Sequence, residues 1–452
     1  MPDVLHLKPE EIDTNEKRGK YTVNVVGCGQ KGVNIGIAFT EAGFKVLCTD
    51  ADQSVVKRLS RAKTPLPDRE MEAKLRNFTR VGMLSFSSDA KSGVAQSDII
   101  VLTIGAKIDE KKNADYTEIE TSCKQVGAAL RRGQLVIYAG LATFGLMEGV
   151  VKETMENTSG LKLGEDFGLA YNPVFVFDGD RSKEPLSNKE LLLASNDKNS
   201  LSSAAIVLAT LTSKSVKQIP DFKTAELATL FAVARRDANV ALSNELAMLC
   251  ENAGKDYFET LEIADTGFLA MDYAPRVAEE SWSDELYLLL ESAENLSSKL
   301  RLTALAKQIN ESMARHAVSL VQDTLRSCGK TLRRARVAVL GKAKSRASGG
   351  DFVRMLEAKG AKISLYDPFL PLNDVSDVKP TPKRSLIEAV ENSDCIVILT
   401  ADAQFKHLNL KNLHAIVKAP AAIVDLARVI KPEEAAKEGF IYSGLGRGVE
   451  KK

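Results

Sequence analysis

Residues 21–50, YTVNVVGCGQKGVNIGIAFTEAGFKVLCTD, decide the fold. The segment begins with an apolar β-branched run and ends, after a helix-like stretch, in a second apolar run, KVLCTD. Runs of this kind, separated by a helix, predict two parallel strands that are buried on both faces. Gly27, Gly29 and Gly32 lie between the first strand and the helix, and Asp50 ends the second strand.

The spacing of these glycines is G-x-G-x-x-G, the pattern of a dinucleotide-binding loop. The first glycine allows a tight turn, the second lets the backbone approach a pyrophosphate, and the third packs the helix on the strand. An acid at the end of the next strand accepts from a ribose 2′-hydroxyl and repels a 2′-phosphate, so the predicted cofactor is NAD. The predicted cofactor-binding residues are Gly27, Gly29, Gln30, Lys31, Gly32 and Asp50. The alternative is a turn that binds nothing, and for Lys31 we favour a solvated position over a phosphate contact.

Three pieces of the first half recur in order near the C-terminus. VNVVGCGQKG corresponds to VAVLGKAKSR, KVLCTD to KISLYD, and SDIIVLTI to SDCIVILT. The repeat predicts an α/β fold with two Rossmann-like, doubly wound parallel-sheet domains. After Gly341 the second copy departs from the glycine pattern, and Lys342, Lys344 and Arg346 form either a candidate anion site or a solvated basic loop.

Between the two copies the pattern changes to long helical stretches at 223–254 and 283–325, which predict a central long-helix domain joining the other two. We therefore predict an N-terminal arm at 1–20, an NAD-binding domain at 21–205, a central helical linker or dimerisation domain at 206–330, and a C-terminal Rossmann-like domain at 331–452. The apolar stripe of the central helix is either buried within one chain or lies against a second copy, and the second alternative predicts a homodimer.

Composition excludes several classes of partner. The 452 residues are 44% hydrophobic and 27% charged, with a net charge of +1, so neither nucleic acid nor an anionic membrane is expected as the main partner. Six scattered cysteines without a CxxC pair indicate a reducing compartment, and no metal site is predicted. Without a membrane-length apolar run or a signal peptide, we expect a cytoplasmic location and a loosely ordered arm over the first twenty residues.

From about residue 21 to 448, the chain resembles the UDP-glucose/GDP-mannose (nucleotide-sugar) dehydrogenases. The segments that carry the resemblance are VVGCGQKG with Asp50, DFGLAYNP (166–173), TAEL…ALSNELAMLCENAG (224–254), LYDPFLP (365–371) and FIYSGLGRG (440–448). The resemblance implies a nucleotide-sugar ligand and oxidation of its C6 alcohol to a carboxylate in two NAD-dependent steps. A cysteine thiohemiacetal holds the aldehyde between those steps.

The resemblance also implies catalytic residues that this chain replaces. On the central helix, Thr229 falls at the family's lysine position and Val233, one turn later, at its asparagine position. After NP, Val174 replaces a glutamate, and Gly105 and Gly140 replace threonines at strand ends. These replacements remove the groups that would stabilise an oxyanion and position a water molecule.

The segment 274–290, APRVAEESWSDELYLLL, lies where the family has its cysteine loop. Ser281 falls at the cysteine position, and no cysteine lies between residues 251 and 327, so the thiohemiacetal route is excluded. A serine nucleophile needs a base, and the four histidines all lie far away in sequence. We expect Ser281 or Ser283 to cap a helix that begins near Asp284, with Trp282 packing against that helix or at an interface.

Three functions remain open, and the catalytic residues are unknown. The first is an NAD-binding family member with altered catalysis, acting as a regulatory or scaffolding protein. The second is an active oxidoreductase that transfers a single hydride, with Glu226, Asn244 or Glu245 as its acid–base group. The third is a sugar-acid-forming enzyme with an unrecognised nucleophile. We rank them in this order.

Overall fold

The structure is a computed structural model that describes residues 2–64, 68–109, 111–173, 186–264, 274–277, 284–341, 349–368, 382–402 and 404–447. The chain divides into two compact units. The first consists of Met1–Val233 with Tyr287–Ser298, and the second of Ala234–Leu286 with Lys299–Lys452. The domain boundaries predicted from the sequence stay predictions.

Among the residues that the structure describes, the first unit contains ten strands: β1 (Thr22–Val26), β2 (Lys45–Thr49), β3 (Leu84–Ser87), β4 (Ile99–Leu102), β5 (Lys107–Ile108), β6 (Ala114–Asp115), β7 (Leu135–Tyr138), β8 (Gly168–Tyr171), β9 (Leu191–Ala194) and β10 (Val216–Ile219). Its helices are α1 (Asn15–Arg18), α2 (Gln30–Glu41), α3 (Gln53–Ser60), α4 (Arg69–Arg80), α5 (Ala90–Gln96), α6 (Thr117–Gly127), α7 (Glu153–Ser159) and α8 (Lys198–Ala209). A π-helix at Met147–Lys152 and 3-10 helices at Pro9–Glu11 and Leu186–Asn188 complete it.

Eight of these strands form one sheet in the order β10-β9-β8-β7-β4-β1-β2-β3. Neighbouring strands are parallel except β8 and β9, which pair antiparallel at Tyr171 and Ala194. β5 and β6 form a separate antiparallel pair. The strand order reverses direction between β1 and β4, and such a switch point opens a crevice at the carboxyl ends of the strands.

The strands form because their apolar residues are buried on both faces of the sheet. Val23 and Val25 of β1 belong to the apolar cluster on one face, together with Ile35 and Phe39 of α2. Ile100 of β4 belongs to the cluster on the other face. A parallel strand covered on both faces requires this continuous apolar sequence, which explains why β1, β2 and β4 could be predicted.

The prediction of a loosely ordered N-terminal arm is wrong. Val4, Leu5, Leu7 and Ile12 are at most 5% exposed and pack in the first unit. The backbone N–H of Val4 donates to the carbonyl of Gly133 at 2.7 Å. Burying these apolar residues offsets the entropy of ordering the segment.

The second unit contains β11 (Arg336–Leu340), β12 (Lys362–Tyr366), β13 (Cys395–Ile398), β14 (Ala422–Asp425) and β15 (Ile441–Gly444), with helices α10 (Tyr257–Ala264), α12 (Arg301–Ser327), α13 (Gly349–Ala358), α14 (Leu386–Val390), α15 (Leu410–Ile416) and α16 (Pro432–Lys437) and a 3-10 helix at Phe405–His407. Its five strands form a parallel sheet in the order β12-β11-β13-β14-β15. The fold is therefore α/β with two doubly wound sheets, as the sequence repeat predicts.

Two helices take part in both units: α9 (Phe222–Ala253) and α11 (Glu285–Asn295). α9 is the long helix predicted at 223–254. The stretch predicted at 283–325 is divided into α11 and α12, with Ser297 between them in the left-handed region at φ 55°. None of the described helices has the length and apolar composition needed to cross a membrane.

The repeat extends to individual hydrogen bonds. In the first sheet the Asp98 carboxylate accepts from the backbone N–H of Thr22 at 2.9 Å, just before β4 and at the start of β1. In the second sheet the Asp394 carboxylate accepts from the N–H of Arg336 at 2.9 Å, just before β13 and at the start of β11. The SD dipeptide shared by the two copies therefore joins the same two strands in each unit.

Candidate functional site

The loop between β1 and α2 turns at Gly27. Its φ of +96° is a conformation that favours glycine, and a Cβ here would lie 2.8 Å from the Thr103 Oγ1. Its N–H donates to the Thr49 carbonyl at 2.8 Å, which joins the loop to the end of β2. Gly27 therefore makes the tight turn that the sequence predicts for the first glycine of the pattern.

Gly29 and Gly32 have opposite surroundings. Gly29 is exposed, precedes α2 and has no atom within 4 Å of a Cβ built on it. A Cβ on Gly32 would overlap the carbonyl oxygen of Gly27. Gly29 thus borders open space at the amino end of a helix, where an anion is stabilised by N–H groups and the helix dipole, whereas Gly32 packs the helix on the strand.

Thr103 is a loop-supporting residue that the sequence analysis missed. It follows β4, and its Oγ1 donates to the Gly27 carbonyl at 2.7 Å. The second sheet repeats only the close packing: Gly341 has a φ of +121° and a Cβ there would overlap the Thr400 Oγ1, but the Thr400 hydroxyl donates to the Asp402 Oδ2 at 2.6 Å. The sequence feature that could have indicated Thr103 is a threonine shortly after the strand in both copies, Thr103 in SDIIVLT and Thr400 in SDCIVILT.

Asp50 lies at the carboxyl end of β2 and is half-buried. Its Oδ2 accepts from the Cys28 N–H at 2.7 Å and its Oδ1 from the Asp52 N–H at 2.9 Å. Each carboxylate oxygen has a second acceptor position, so the group can also accept from ribose hydroxyls. The two backbone bonds fix the carboxylate beside the glycine loop.

The two polar residues of the loop begin α2. The Gln30 side chain donates to the Asn34 Oδ1 at 3.1 Å, along the same helix. Lys31 is half-buried, in contrast to the solvated position that we favoured from the sequence.

A cleft of about 390 Å³ opens beside Gly27 and Asp50. This volume falls within the usual range for small-molecule sites. Its lining combines β-strand ends with one face of α6, and consists of Val26, Gly27, Thr49, Asp50, Ala51, Ala90, Ile104, Lys107, Asp115, Thr117, Glu118, Thr121, Ser122 and Gln125. Open space also adjoins Gly105, where a Cβ would meet nothing within 4 Å.

These residues fit a dinucleotide. Gly29 leaves room for a pyrophosphate at the amino end of α2, and Asp50 presents acceptors for a ribose. No cluster of three or more His, Cys, Asp or Glu that could hold a metal ion occurs among the residues that the structure describes.

The two α9 residues that the resemblance assigns to the family's lysine and asparagine positions are fully buried. Thr229 and Val233 are both 0% exposed. The Thr229 hydroxyl donates to the Ala225 carbonyl at 2.7 Å, so the donor is used within its own helix. Neither side chain offers a cationic or amide group to a ligand.

Two tyrosines occupy the region around Gly140 and Thr229. Tyr138 and Tyr171 are 0% exposed, with ring centroids 6.1 Å apart. A Cβ on Gly140 would lie 2.7 Å from the Tyr138 hydroxyl, and the Tyr171 hydroxyl lies beside Thr229 and accepts from the Ala142 N–H at 3.3 Å. Burial raises the pKa of both tyrosines, which keeps both hydroxyls protonated. No sequence motif indicates this packing.

Glu226 is a buried carboxylate one turn before Thr229. Its two oxygens accept from the backbone N–H groups of Gly145 and Met147 at 2.7 and 2.8 Å, where the π-helix begins. Burial raises its pKa from 4.5 to about 7, against the opposing effect of these two hydrogen bonds. Glu226 therefore acts as the cap of a helix within the first unit.

The other two residues considered for acid–base chemistry differ in exposure. Asn244 is 0% exposed; its Nδ2 donates to the Asn310 Oδ1 at 3.0 Å, and its Oδ1 accepts from the Arg276 N–H at 2.9 Å. Glu245 is exposed on α9. Asn244 thus joins three segments of the second unit.

Several predicted residues lie outside the described part of the chain: Val174, Ser281, Trp282, Ser283, Lys342, Lys344 and Arg346. The helix expected near Asp284 is α11, which begins at Glu285. The Glu285 carboxylate pairs with the Arg236 guanidinium at 3.0 Å, and Arg236 is 5% exposed.

Three models of one protein family match successive parts of the sequence. The NAD binding domain of the UDP-glucose/GDP-mannose dehydrogenase family matches residues 21–212, the central domain 223–312, and the UDP binding domain 346–432. Among similar proteins, the UDP-N-acetyl-D-mannosamine dehydrogenase of Pyrococcus horikoshii is 27% identical over 438 residues, which cover 94% of this chain and 99% of that protein. The UDP-glucose 6-dehydrogenase of Rhizobium meliloti is 22% identical over 94% of this chain and 99% of its own length.

Solved structures agree with these matches. The UDP-D-ManNAc dehydrogenase of Pyrococcus horikoshii superposes with a TM-score of 0.81 at 25% identity, covering 94% of this chain and 99% of that one. A UDP-glucose dehydrogenase from Pyrobaculum islandicum gives a TM-score of 0.78 at 21% identity, covering 94% and 98%, and supports the fold. With the NAD binding domain matched over the glycine loop and its cleft, the cofactor of this chain is NAD. The three domain matches in their order show that the chain belongs to the UDP-glucose/GDP-mannose dehydrogenase family.

Proposed function

We propose that this protein binds NAD and a nucleotide sugar but does not perform the two-step oxidation of a sugar C6 alcohol. In this proposal the cofactor-binding residues are Gly27, Gly29, Gln30, Lys31, Gly32 and Asp50. The protein acts as a regulatory or scaffolding member of its family, alone or with a catalytically complete partner.

The observation that carries the proposal is the burial of two side chains of α9, Thr229 and Val233. At the positions that the family resemblance assigns to lysine and asparagine, the chain has fully buried Thr229 and Val233. The Thr229 hydroxyl is bound to its own helix, and Tyr171 contacts it. Stabilising an oxyanion requires donors directed at the reacting atoms, and these two side chains supply none.

The nucleotide-sugar ligand is supported by the match of the UDP binding domain to residues 346–432. The similar proteins carry names of UDP-glucose, UDP-N-acetyl-D-mannosamine and UDP-N-acetyl-D-glucosamine dehydrogenases, so UDP-sugars are the first ligands to test. Lys342, Lys344 and Arg346 remain the candidate anion site for the diphosphate.

A single hydride transfer is the second candidate, but its acid–base groups have other roles. Both oxygens of Glu226 accept backbone N–H groups, and Asn244 uses its donor and its acceptor within the second unit. Sugar-acid formation by an unrecognised nucleophile is the third candidate, and it is favoured by the names of the similar proteins.

We also propose a homodimer formed through α9. Phe231, Leu242 and Leu249 of this helix are 64%, 47% and 61% exposed. Leu242 and Leu249 are seven residues apart and lie on the same face of the helix. Large apolar side chains exposed at helical spacing are typical of a surface covered by another subunit.

The experiment combines binding with product analysis. Purified protein is titrated with NAD and with UDP-sugars by calorimetry, and then incubated with NAD and UDP-glucose, UDP-N-acetyl-D-mannosamine, UDP-N-acetyl-D-glucosamine or GDP-mannose. The proposal predicts heat from NAD binding and no NADH with any of these sugars. One NADH per sugar supports the single hydride transfer, and two with a sugar acid support the third candidate.

A further inference from the structure

Helix α6 presents polar side chains to the cleft beside Asp50. Thr117, Glu118, Thr121, Ser122 and Gln125 all line it, at a spacing that places them along one face of the helix. The opposite face, with Ile119, Cys123 and Val126, is buried in the apolar core. The polar face is therefore positioned by the core packing of the same helix.

Two residues of this face have unused hydrogen-bonding groups. Ser122 is only 6% exposed and Gln125 is half-buried, and within the described residues neither side chain has a hydrogen-bond partner. At the mouth of the cleft, Lys107 and Glu118 instead pair with each other at 2.6 Å. Because both side chains line the cleft, their polar groups are available to a ligand bound there.

The remaining walls of the cleft suit a flat base. Val26, Ala51, Ala90 and Ile104 supply apolar surface, and Asp50 supplies acceptors for a ribose at one side. A base between these walls would turn its faces to apolar groups and its edge to α6. This is the common composition of a ligand site, mostly apolar with few polar groups that fix orientation.

We propose that Gln125 and Ser122 hydrogen-bond the edge of the adenine base of NAD and make this chain selective for an unmodified adenine. The inference rests on the proposed binding of NAD in this cleft. A glutamine amide offers a donor and an acceptor side by side, which match the adjacent amino group and ring nitrogen of adenine, and a serine hydroxyl can bond to either.

The test compares NAD with its 1,N6-ethenoadenine analogue, in which the added ring blocks N1 and removes the amino donor. Calorimetry measures the dissociation constants of both ligands for the wild type, Gln125→Leu, Ser122→Ala and the control Lys124→Ala. Lys124 lies on α6 but does not line the cleft. Melting temperatures verify that each variant folds, and Gln125→Glu, which keeps the size but removes the donor, replaces Gln125→Leu if that variant does not fold.

The wild type and Lys124→Ala should bind NAD about tenfold more tightly than the analogue, and Gln125→Leu should reduce this ratio to about twofold by weakening NAD alone. Ser122→Ala should reduce it by a smaller factor. A ratio that is unchanged in Gln125→Leu, or a wild type that binds both ligands equally, overturns the inference while leaving NAD binding intact. Absence of NAD binding to the wild type overturns the proposed function as well.

Discussion

Gly29 and Gly32 are three residues apart and differ in what a side chain would meet. Gly32 has no room for a Cβ, because the Gly27 carbonyl occupies that position, whereas Gly29 faces open space. Gly29 has φ −63° and ψ −177°, a conformation that any residue adopts. A glycine with no internal reason to be glycine points to a ligand that approaches its backbone.

A substitution at Gly29 should therefore separate binding from folding. We expect Gly29→Val to keep its melting temperature within about 2 °C of the wild type, since the new side chain enters solvent. We expect the affinity for NAD to fall at least about tenfold, because the side chain occupies the approach of the pyrophosphate. Thermal unfolding and calorimetric titration measure the two effects.

Gly32→Ala is the matched control for Gly29→Val. Its Cβ would overlap the Gly27 carbonyl, so the loop must shift and the melting temperature should fall by several degrees, about 4 °C or more. If Gly29→Val binds NAD as the wild type does, the loop does not hold the pyrophosphate.

Glu226 makes the stability of the protein depend on pH. Its pKa is about 7 in the folded protein and near 4.5 when exposed, so the folded state holds this proton more tightly. The stabilisation is complete below pH 4.5 and is lost as the pH rises through 7, by about 3 kcal/mol in total.

Comparison with Glu226→Gln isolates this contribution, because the amide does not titrate. We expect the free energy of unfolding of the wild type, minus that of Glu226→Gln, to decrease by about 3 kcal/mol between pH 4.5 and pH 7.5. Urea unfolding of both proteins across this range measures the difference. A constant or increasing difference would mean that Glu226 remains ionised.

At the scale of secondary structure, α9 combines buried polar positions with exposed apolar ones. Asn244 is hydrogen-bonded within the second unit, while Leu242, two residues earlier, is 47% exposed. A helix that packs only within a single chain usually buries its apolar residues and exposes its polar ones, which is the reverse of this distribution. Its exposed face is consistent with a second subunit.

The proposed dimer predicts the effect of charges on this face. Leu242→Glu combined with Leu249→Glu should convert a dimer to a monomer, since burying two carboxylates in an apolar interface is unfavourable. Light scattering after size-exclusion chromatography measures the mass. Val81→Glu, a change at a 56% exposed position after α4, should leave the dimer intact. A monomeric wild type, or a double variant that remains dimeric, contradicts the proposal.

The strands that could be predicted are those with continuous apolar runs. β1, β2, β4, β11, β12 and β13 were identified because burial on both faces leaves a local pattern in the sequence. The antiparallel pairing of β9 with β8 and the packing of Val4 and Leu7 depend on contacts between distant segments. No local pattern records such contacts.

In the candidate site, too, some residues could be predicted from the sequence and others could not. The glycine loop and Asp50 could be found because their spacing is set by the geometry of one βαβ unit. Thr103 supports Gly27 across 76 residues of sequence, and Tyr171 reaches Thr229 across 58, so neither contact appears in any short motif. The assignment of Thr229 and Val233 to catalytic positions rests on the family resemblance alone.

Over the whole molecule, the chain keeps the fold of its family, and in our proposal it has lost the family's catalytic residues. Both sheets keep the SD dipeptide, the turn glycine and a threonine packed against that glycine, all of which contribute to folding. Thr229 and Val233 are buried residues that pack within their own unit, so a threonine and a valine at these positions are compatible with a stable fold. Family membership alone therefore does not establish the family's reaction.

The most direct test of the central claim measures NADH with the protein in excess over a UDP-sugar and with NAD saturating. Under these conditions even very slow chemistry accumulates product without turnover. We predict no NADH above a protein-free control, although calorimetry of the same preparation detects NAD binding. Two NADH and one sugar acid for each UDP-sugar consumed would contradict the account.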